Sequence, residues 1–242
     1  MIKRFVRHMR FHTPQLGLYR ATRLAAALTY GELRDRVSKT HRKSRQRRLD
    51  FDKKYSVSTA ERRFVAEMSG AENQVHSFDA IRYEPIEVHD VEEALNKLPI
   101  DHSNYTLIDI GSGKGKVLFI AANYPFRRLV GVEFDQELAA TATANVKSYS
   151  NPDRKCDEIQ IVNGDARTFE LSDVPAVLFF YFPFRARLLQ EVLDNFGEAL
   201  RGCYLVWTTL ETEEAAVLDG CPHIARFAET EESVIFRGVD VA

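Results

Sequence analysis

The sequence predicts an α/β fold: a doubly wound, mostly parallel seven-strand sheet with a C-terminal antiparallel hairpin, preceded by a basic helical N-terminal extension. Three observations carry this. From residue 105 onward, short and nearly continuous apolar runs alternate with segments of helical spacing, the pattern of parallel strands covered on both faces. The last two runs, HIARFAE and ESVIFRG, have no long helix between them, which suggests an antiparallel edge. The first 54 residues hold 16 Lys/Arg against 4 Asp/Glu, whereas the rest hold 17 against 31, so a net charge of −2 conceals two regions of opposite sign.

Taken in order, residues 1–55 form the basic helical extension, and 56–242 form the main domain, with its layered core starting near 99. In the extension, Leu18, Thr22, Ala25, Ala26, Thr29 and Leu33 fall on one side of a helix, and HRKSRQRR at 41–48 is cationic. STAERRFVAEM fits a helix capped by Ser58 or Thr59. RYEPIEVHDVEEALNKLP places Pro85 near the start of a helix that stops at Pro99. YTLIDI (105–110), RLVGVEF (128–134), EIQIVNGD (158–165), PAVLFFYF (175–182) and CYLVWTTL (203–210) are strands, and 114–123, 136–148 and 185–199 are helices.

Composition narrows the function classes. A chain of 242 residues with 45% hydrophobic content supports one full core and an appendage. Its longest early apolar run, LAAAL at 24–28, is far below the roughly 18–20 residues of a membrane span. Cys156, Cys203 and Cys221 are odd in number and form no CxxC, which argues against a metal site or a disulfide framework and for a reducing, cytoplasmic location. The Arg-rich start also has the character of a mitochondrial targeting peptide, although the basic run continues past 48.

The motif that carries chemistry is LIDIGSGKGKV at 107–117. Gly111, Gly113 and Gly115 lie where a strand ends and a helix begins, so bare backbone and free N–H groups can face a ligand there. In open parallel sheets that is the binding edge. A dinucleotide site has GxGxxG, but here the spacing is GxGxG, and Asp109 stands two residues ahead of the first glycine. That carboxylate opposes a pyrophosphate and suits a ligand bearing an ammonium group.

DIGSGKG resembles the first motif, D/E-x-G-x-G-x-G, of class I (seven-strand, Rossmann-like) S-adenosylmethionine-dependent methyltransferases. The resemblance spans about 105–238. It implies that Asp109, Gly111, Ser112, Gly113 and Gly115 hold the methionyl end of S-adenosylmethionine. Glu133, which ends the next strand 24 positions on, accepts hydrogen bonds from the ribose hydroxyls. Asp165 and the backbone of Ala166 serve the adenine. YFPF at 181–184 occupies the place where amine and amide methyltransferases carry Asn or Asp before Pro-Pro-aromatic. Tyr181, Pro183 and Phe184 then line the transfer site, while Phe182 replaces the polar residue that would orient an amide. RYEP at 82–85 resembles an element of the Dot-type lysine methyltransferases, which implies that Tyr83 closes over the cofactor. No general base is assigned; His76 and Glu87 lie near enough in sequence to be considered and carry no motif.

The expectation is methyl transfer from S-adenosylmethionine to an unidentified nucleophile, with a protein lysine or another amine as first guess among protein, nucleic-acid and small-molecule acceptors. Two alternatives stay open: an NAD(P)-dependent oxidoreductase, and a non-catalytic nucleic-acid-binding module. The basic arm has the charge to contact nucleic acid or an anionic surface, or to pack on the acidic remainder of its own chain. It lacks interleaved aromatics for base stacking.

Overall fold

The computed structural model describes residues 38–61, 63–64, 82–83, 85–181 and 184–240, together with residues 6 and 22. The helix expected around 18–33 therefore lies outside the described residues apart from position 22, as do Phe182 and Pro183. Helix α1 is Lys39–Tyr55, followed by a short ribbon of β1 (Arg63–Phe64) and β2 (Arg82–Tyr83), then α2 (Val88–Lys97). The alternation continues through β3 (Thr106–Ile110), α3 (Lys116–Ala121), β4 (Arg128–Glu133), α4 (Gln136–Ser148), β5 (Ile159–Asn163), β6 (Ala176–Tyr181), α5 (Ala186–Phe196) and β7 (Cys203–Thr208). It closes with α6 (Thr212–Gly220), β8 (Ile224–Glu229) and β9 (Ser233–Gly238).

Seven strands form one sheet in the order β5-β4-β3-β6-β7-β9-β8. The pairings among β5, β4, β3, β6 and β7 are parallel, and β9 runs antiparallel to both β7 and β8. The expected C-terminal hairpin is present, with its second strand inserted between β7 and β8. Strand order reverses between β3 and β6, the crevice where ligands bind in sheets of this type.

Successive residues of a strand face opposite layers. Ile108, Ile110, Val130, Val132, Leu178, Phe180, Leu205 and Trp207 point into one core, which α5 fills with Leu188, Leu189, Val192, Leu193 and Phe196. Leu107, Leu129, Val177, Phe179 and Val206 point into the other, against α2, α3 and Phe51 of α1. Helix α1 ends at Tyr55 and is seated on the main fold: Phe51 is buried and meets Tyr55 edge-on, and Tyr55 O accepts a hydrogen bond from Ser150 N.

Two elements differ from expectation. The helix expected from Ser58 or Thr59 does not form over the described part of that stretch: residues 57–61 are irregular, and Arg63–Phe64 pairs as a strand with Arg82–Tyr83. The cause is Asp52, whose carboxylate takes the N–H groups of Thr59 and Ala60 and the Thr59 hydroxyl at 2.6–2.8 Å, holding the chain in a turn. Helix α6 was not expected. Its buried residues are Glu214 and Leu218, a weak apolar signal.

Candidate functional site

The carboxyl ends of β3 and β4 carry a buried polar cluster. Gly111, Gly113 and Gly115 all adopt positive φ (78°, 55° and 85°), so the glycines serve the backbone geometry that the sequence suggested. The loop hangs on the neighbouring strand: Gly111 N and Ser112 N both donate to Val132 O, and Gly115 N closes a turn onto Ser112 O at 2.8 Å. Gly131 makes room for it. A Cβ there would stand 2.7 Å from Ser112 Oγ and 2.9 Å from Leu118 Cδ1.

Register sets the side chains. Asp109 is directly opposite Gly131, and both share a sheet face with Glu133 two positions on. Glu133 is buried; one carboxylate oxygen accepts Gly113 N at 2.7 Å, and the other accepts Asp135 N at 2.7 Å. Each oxygen keeps a further acceptor position. Burial pushes the Glu133 carboxyl up to about 7, with the backbone N–H groups of Asp135, Gly113 and Phe134 opposing the rise and the Asp135 charge adding to it. Asp109 is only 2% exposed, its Oδ2 has no hydrogen-bond partner, and burial followed by the Glu133 charge holds its carboxyl well above the usual range. Ser112 Oγ is likewise buried and unpartnered. Buried polar atoms without partners are costly, and the two beside the glycine loop fit donors supplied from outside the chain.

At the next strand tip, Asn163 is paired with Glu133, and its side-chain amide donates to Glu133 O and Phe134 O. Asp165 follows on the turn. Its carboxylate already engages Arg167 through Nε and Nη2 and accepts the Arg167 backbone N–H at 2.9 Å, while Ala166 packs against the core. Asp165 is thus at the expected edge, with its charge compensated by Arg167.

The tip of β6 separates the expected transfer residues. Tyr181 lies on the same face as Asp109 and Glu133, half-buried against the layer that holds Phe179. Phe184 belongs to the opposite layer. It is buried, edge-on to Phe180 and Trp207 with ring centroids at 6.3 Å from each, and the latter two rings stack at 5.1 Å. Pro183 is outside the described residues; for Tyr83 the β2 backbone alone is described.

Sequence reasoning missed the groups that brace the loop. Lys114 Nζ donates to Glu61 O at 3.2 Å, and Lys116 Nζ donates to Ile86 O while lying 5.1 Å from the centre of the Phe51 ring. Burial lowers the Lys116 ammonium to about 8, against the opposing charge of Glu87. Asn145 of α4 bonds to Ser58 and to Lys114 O. The GKGK spacing was the available signal for the two lysines; Asn145 had none. Among the described residues there is no cluster of metal-ligand type and no helix long and apolar enough to cross a membrane. The three cysteines are free and buried.

No protein-family model matches the chain, and no curated protein matches its sequence. Among solved structures, it is similar to a predicted N6-adenine-specific DNA methylase from Listeria monocytogenes, with TM-score 0.50 and 12% identity over 63% of this chain and 51% of that one. An uncharacterized protein from the same species matches with TM-score 0.50 and 13% identity over 64% and 69%. An RNA methyltransferase from Salinibacter ruber, in complex with S-adenosyl-L-homocysteine, gives TM-score 0.46 and 20% identity over 63% and 91%. At these identities the likeness is one of fold.

Proposed function

From the class I, Rossmann-like methyltransferase fold of this chain, we propose that it is an S-adenosylmethionine-dependent methyltransferase acting on an amine, with a protein lysine as the first acceptor to test. The observation that supports this best is the pairing of unpartnered, buried Asp109 Oδ2 and Ser112 Oγ with the positive-φ glycine loop and Glu133. A methionyl group supplies an ammonium for the first carboxylate, and ribose hydroxyls supply donors for the second. The residues present fit that ligand.

In this reading Asp109, Gly111, Ser112, Gly113 and Gly115 hold the methionyl end and Glu133 the ribose. Asp165 and the Ala166 N–H serve the adenine, and Tyr83 covers the site. When bound, the cofactor supplies an electrophilic methyl on a sulfonium. The chain orients the acceptor for in-line approach, a role of positioning. Tyr181, Pro183 and Phe184 line the transfer site, Tyr181 on the sheet face that carries Asp109 and Glu133 and Phe184 backing the strand tip from the other layer. Aromatic faces attract the sulfonium, and the positive charge that develops on the amine, by about 0.5–2 kcal/mol each; the attacking amine is neutral, and the proton lost afterwards goes to water. No residue is assigned as base. The exposed side of α1, with Lys43, Arg45, Lys53 and Lys54, is a surface for an anionic partner.

The test is transfer of labelled methyl groups from S-adenosylmethionine into fractionated cell lysate. Label in protein, released as methyl-lysine on hydrolysis, supports the reading; label in nucleic acid moves the acceptor class; no label in any fraction, together with binding of NADH, sinks it.

A further inference from the structure

The glycine loop is braced from three sides. On the sheet side Val132 O accepts Gly111 N and Ser112 N and Glu133 accepts Gly113 N, while within the loop Ser112 O accepts Gly115 N. The third brace comes from α4. Lys114, between two glycines of positive φ, has a peptide whose orientation glycine neighbours do little to restrict. Its carbonyl accepts a hydrogen bond from Asn145 Nδ2 at 3.0 Å. The same side chain accepts Ser58 N through Oδ1 at 2.8 Å and donates to Ser58 O at 3.3 Å. Those partners settle the amide's orientation, because one N–H must face the oxygen and two carbonyls must face the nitrogen. Asn145 is 4% exposed.

Ser58 is itself held. Asp52 of α1 fixes Thr59 and Ala60 immediately after it, Ser56 turns the chain in the left-handed region (φ 58°), and Lys114 Nζ reaches Glu61 O. The chain from α1 to Glu61 is thus connected by hydrogen bonds to the Lys114–Gly115 peptide, whose N–H turns onto Ser112 O and whose carbonyl Asn145 holds.

The geometry points to Asn145 as a positioning residue for the cofactor, and to α1 with residues 56–61 as a working part of the cofactor loop. The inference rests on the reading that this loop holds S-adenosylmethionine. It assigns the docked part of the basic extension a role in cofactor affinity, distinct from any role in partner binding.

The experiment compares the full chain with Asn145→Ala, Lys114→Met and, as a control for general destabilisation, Leu218→Ala on the far side of the molecule, where Leu218 is fully buried. Three quantities are read: melting temperature, the dissociation constant of S-adenosylhomocysteine by calorimetry, and amide exchange at Gly113 and Gly115. Asn145→Ala is expected to weaken binding about fivefold to tenfold and to speed exchange at Gly115 by a similar factor, as loss of a buried hydrogen-bond set predicts. Lys114→Met should weaken binding by about twofold to threefold. Leu218→Ala should lower the melting temperature and leave affinity within about twofold of the parent. Unchanged affinity and exchange in Asn145→Ala would overturn the inference, as would an equal loss of affinity in Leu218→Ala at matched stability. If the parent chain binds no S-adenosylhomocysteine but exchange at the glycines still rises in Asn145→Ala, the coupling stands and the cofactor reading falls.

Discussion

The tips of β3 and β4 and the tips of β6 and β7 occupy the same edge of one sheet and are built from opposite materials. At the first pair, two buried carboxylates, a serine hydroxyl and two buried lysines surround a glycine turn, and two of those polar atoms lack partners. At the second pair, Phe180, Trp207 and Phe184 pack ring against ring in the core, with Trp207 Nε1 as the one unpartnered buried side-chain atom among them, and Tyr181 lies on the face that carries Asp109 and Glu133. The polar end is held by backbone hydrogen bonds to Glu133, and its two unpartnered atoms cost stability. The aromatic end is stabilised by packing and supplies shape. The proposed methyl transfer, with one constant cofactor and a separate acceptor, would use this division.

The largest expected effect breaks the polar end. Glu133→Ala removes the acceptor for Gly113 N and for two ligand hydroxyls, and charge-assisted bonds of about 1.5–3 kcal/mol each predict an affinity loss of about a hundredfold for S-adenosylhomocysteine. Calorimetry checks it. Next, Phe184→Ala should cost about 3 kcal/mol of stability through a core cavity, yet shift that affinity by less than about threefold. A large affinity loss at unchanged stability would instead make Phe184 part of the site.

Gly131→Ala sharpens the contrast, since a Cβ there meets Ser112 and Leu118 at under 3.0 Å. Displacing the loop should cost about 1–3 kcal/mol and weaken binding together. Gly220→Ala, at the end of α6 with open space around the position, should be neutral or stabilising by under about 1 kcal/mol, read by denaturant titration.

Much of this was legible because strands buried on both faces read as unbroken apolar runs. The β3–α3 turn announced itself through Asp109 and three alternate glycines. What escaped notice did so for physical reasons. Asn145 acts on Ser58, 87 residues away, and a mid-helix asparagine has no periodic signature. Helix α6 buries Glu214 where periodicity leads one to expect an apolar residue. Past the end of β6 the alternation of faces stops, so Phe184 could not be assigned to a layer from its position. At 58–61, capping-type residues were present, but Asp52, in the last turn of α1, captured the free N–H groups of Thr59 and Ala60.

The raised Glu133 carboxyl gives the account its most direct test. Its folded value of about 7 exceeds the ordinary 4.5, so the folded apo chain holds this proton more tightly than the unfolded chain. Glu133 therefore favours the fold least above pH 7, and its contribution is lost as pH rises from about 4.5 to 7. Ribose hydroxyls donate to the ionised form, so binding should oppose that loss. Titrating S-adenosylhomocysteine at pH 6 and pH 8 should show affinity rising severalfold with proton release, and Glu133→Gln should abolish the tight binding and reduce its pH dependence to the share of Asp109, whose carboxyl burial also raises. Binding that is absent, or that is pH-independent and insensitive to Glu133→Gln, would contradict the claim that these strand-tip carboxylates grip a sulfonium nucleoside.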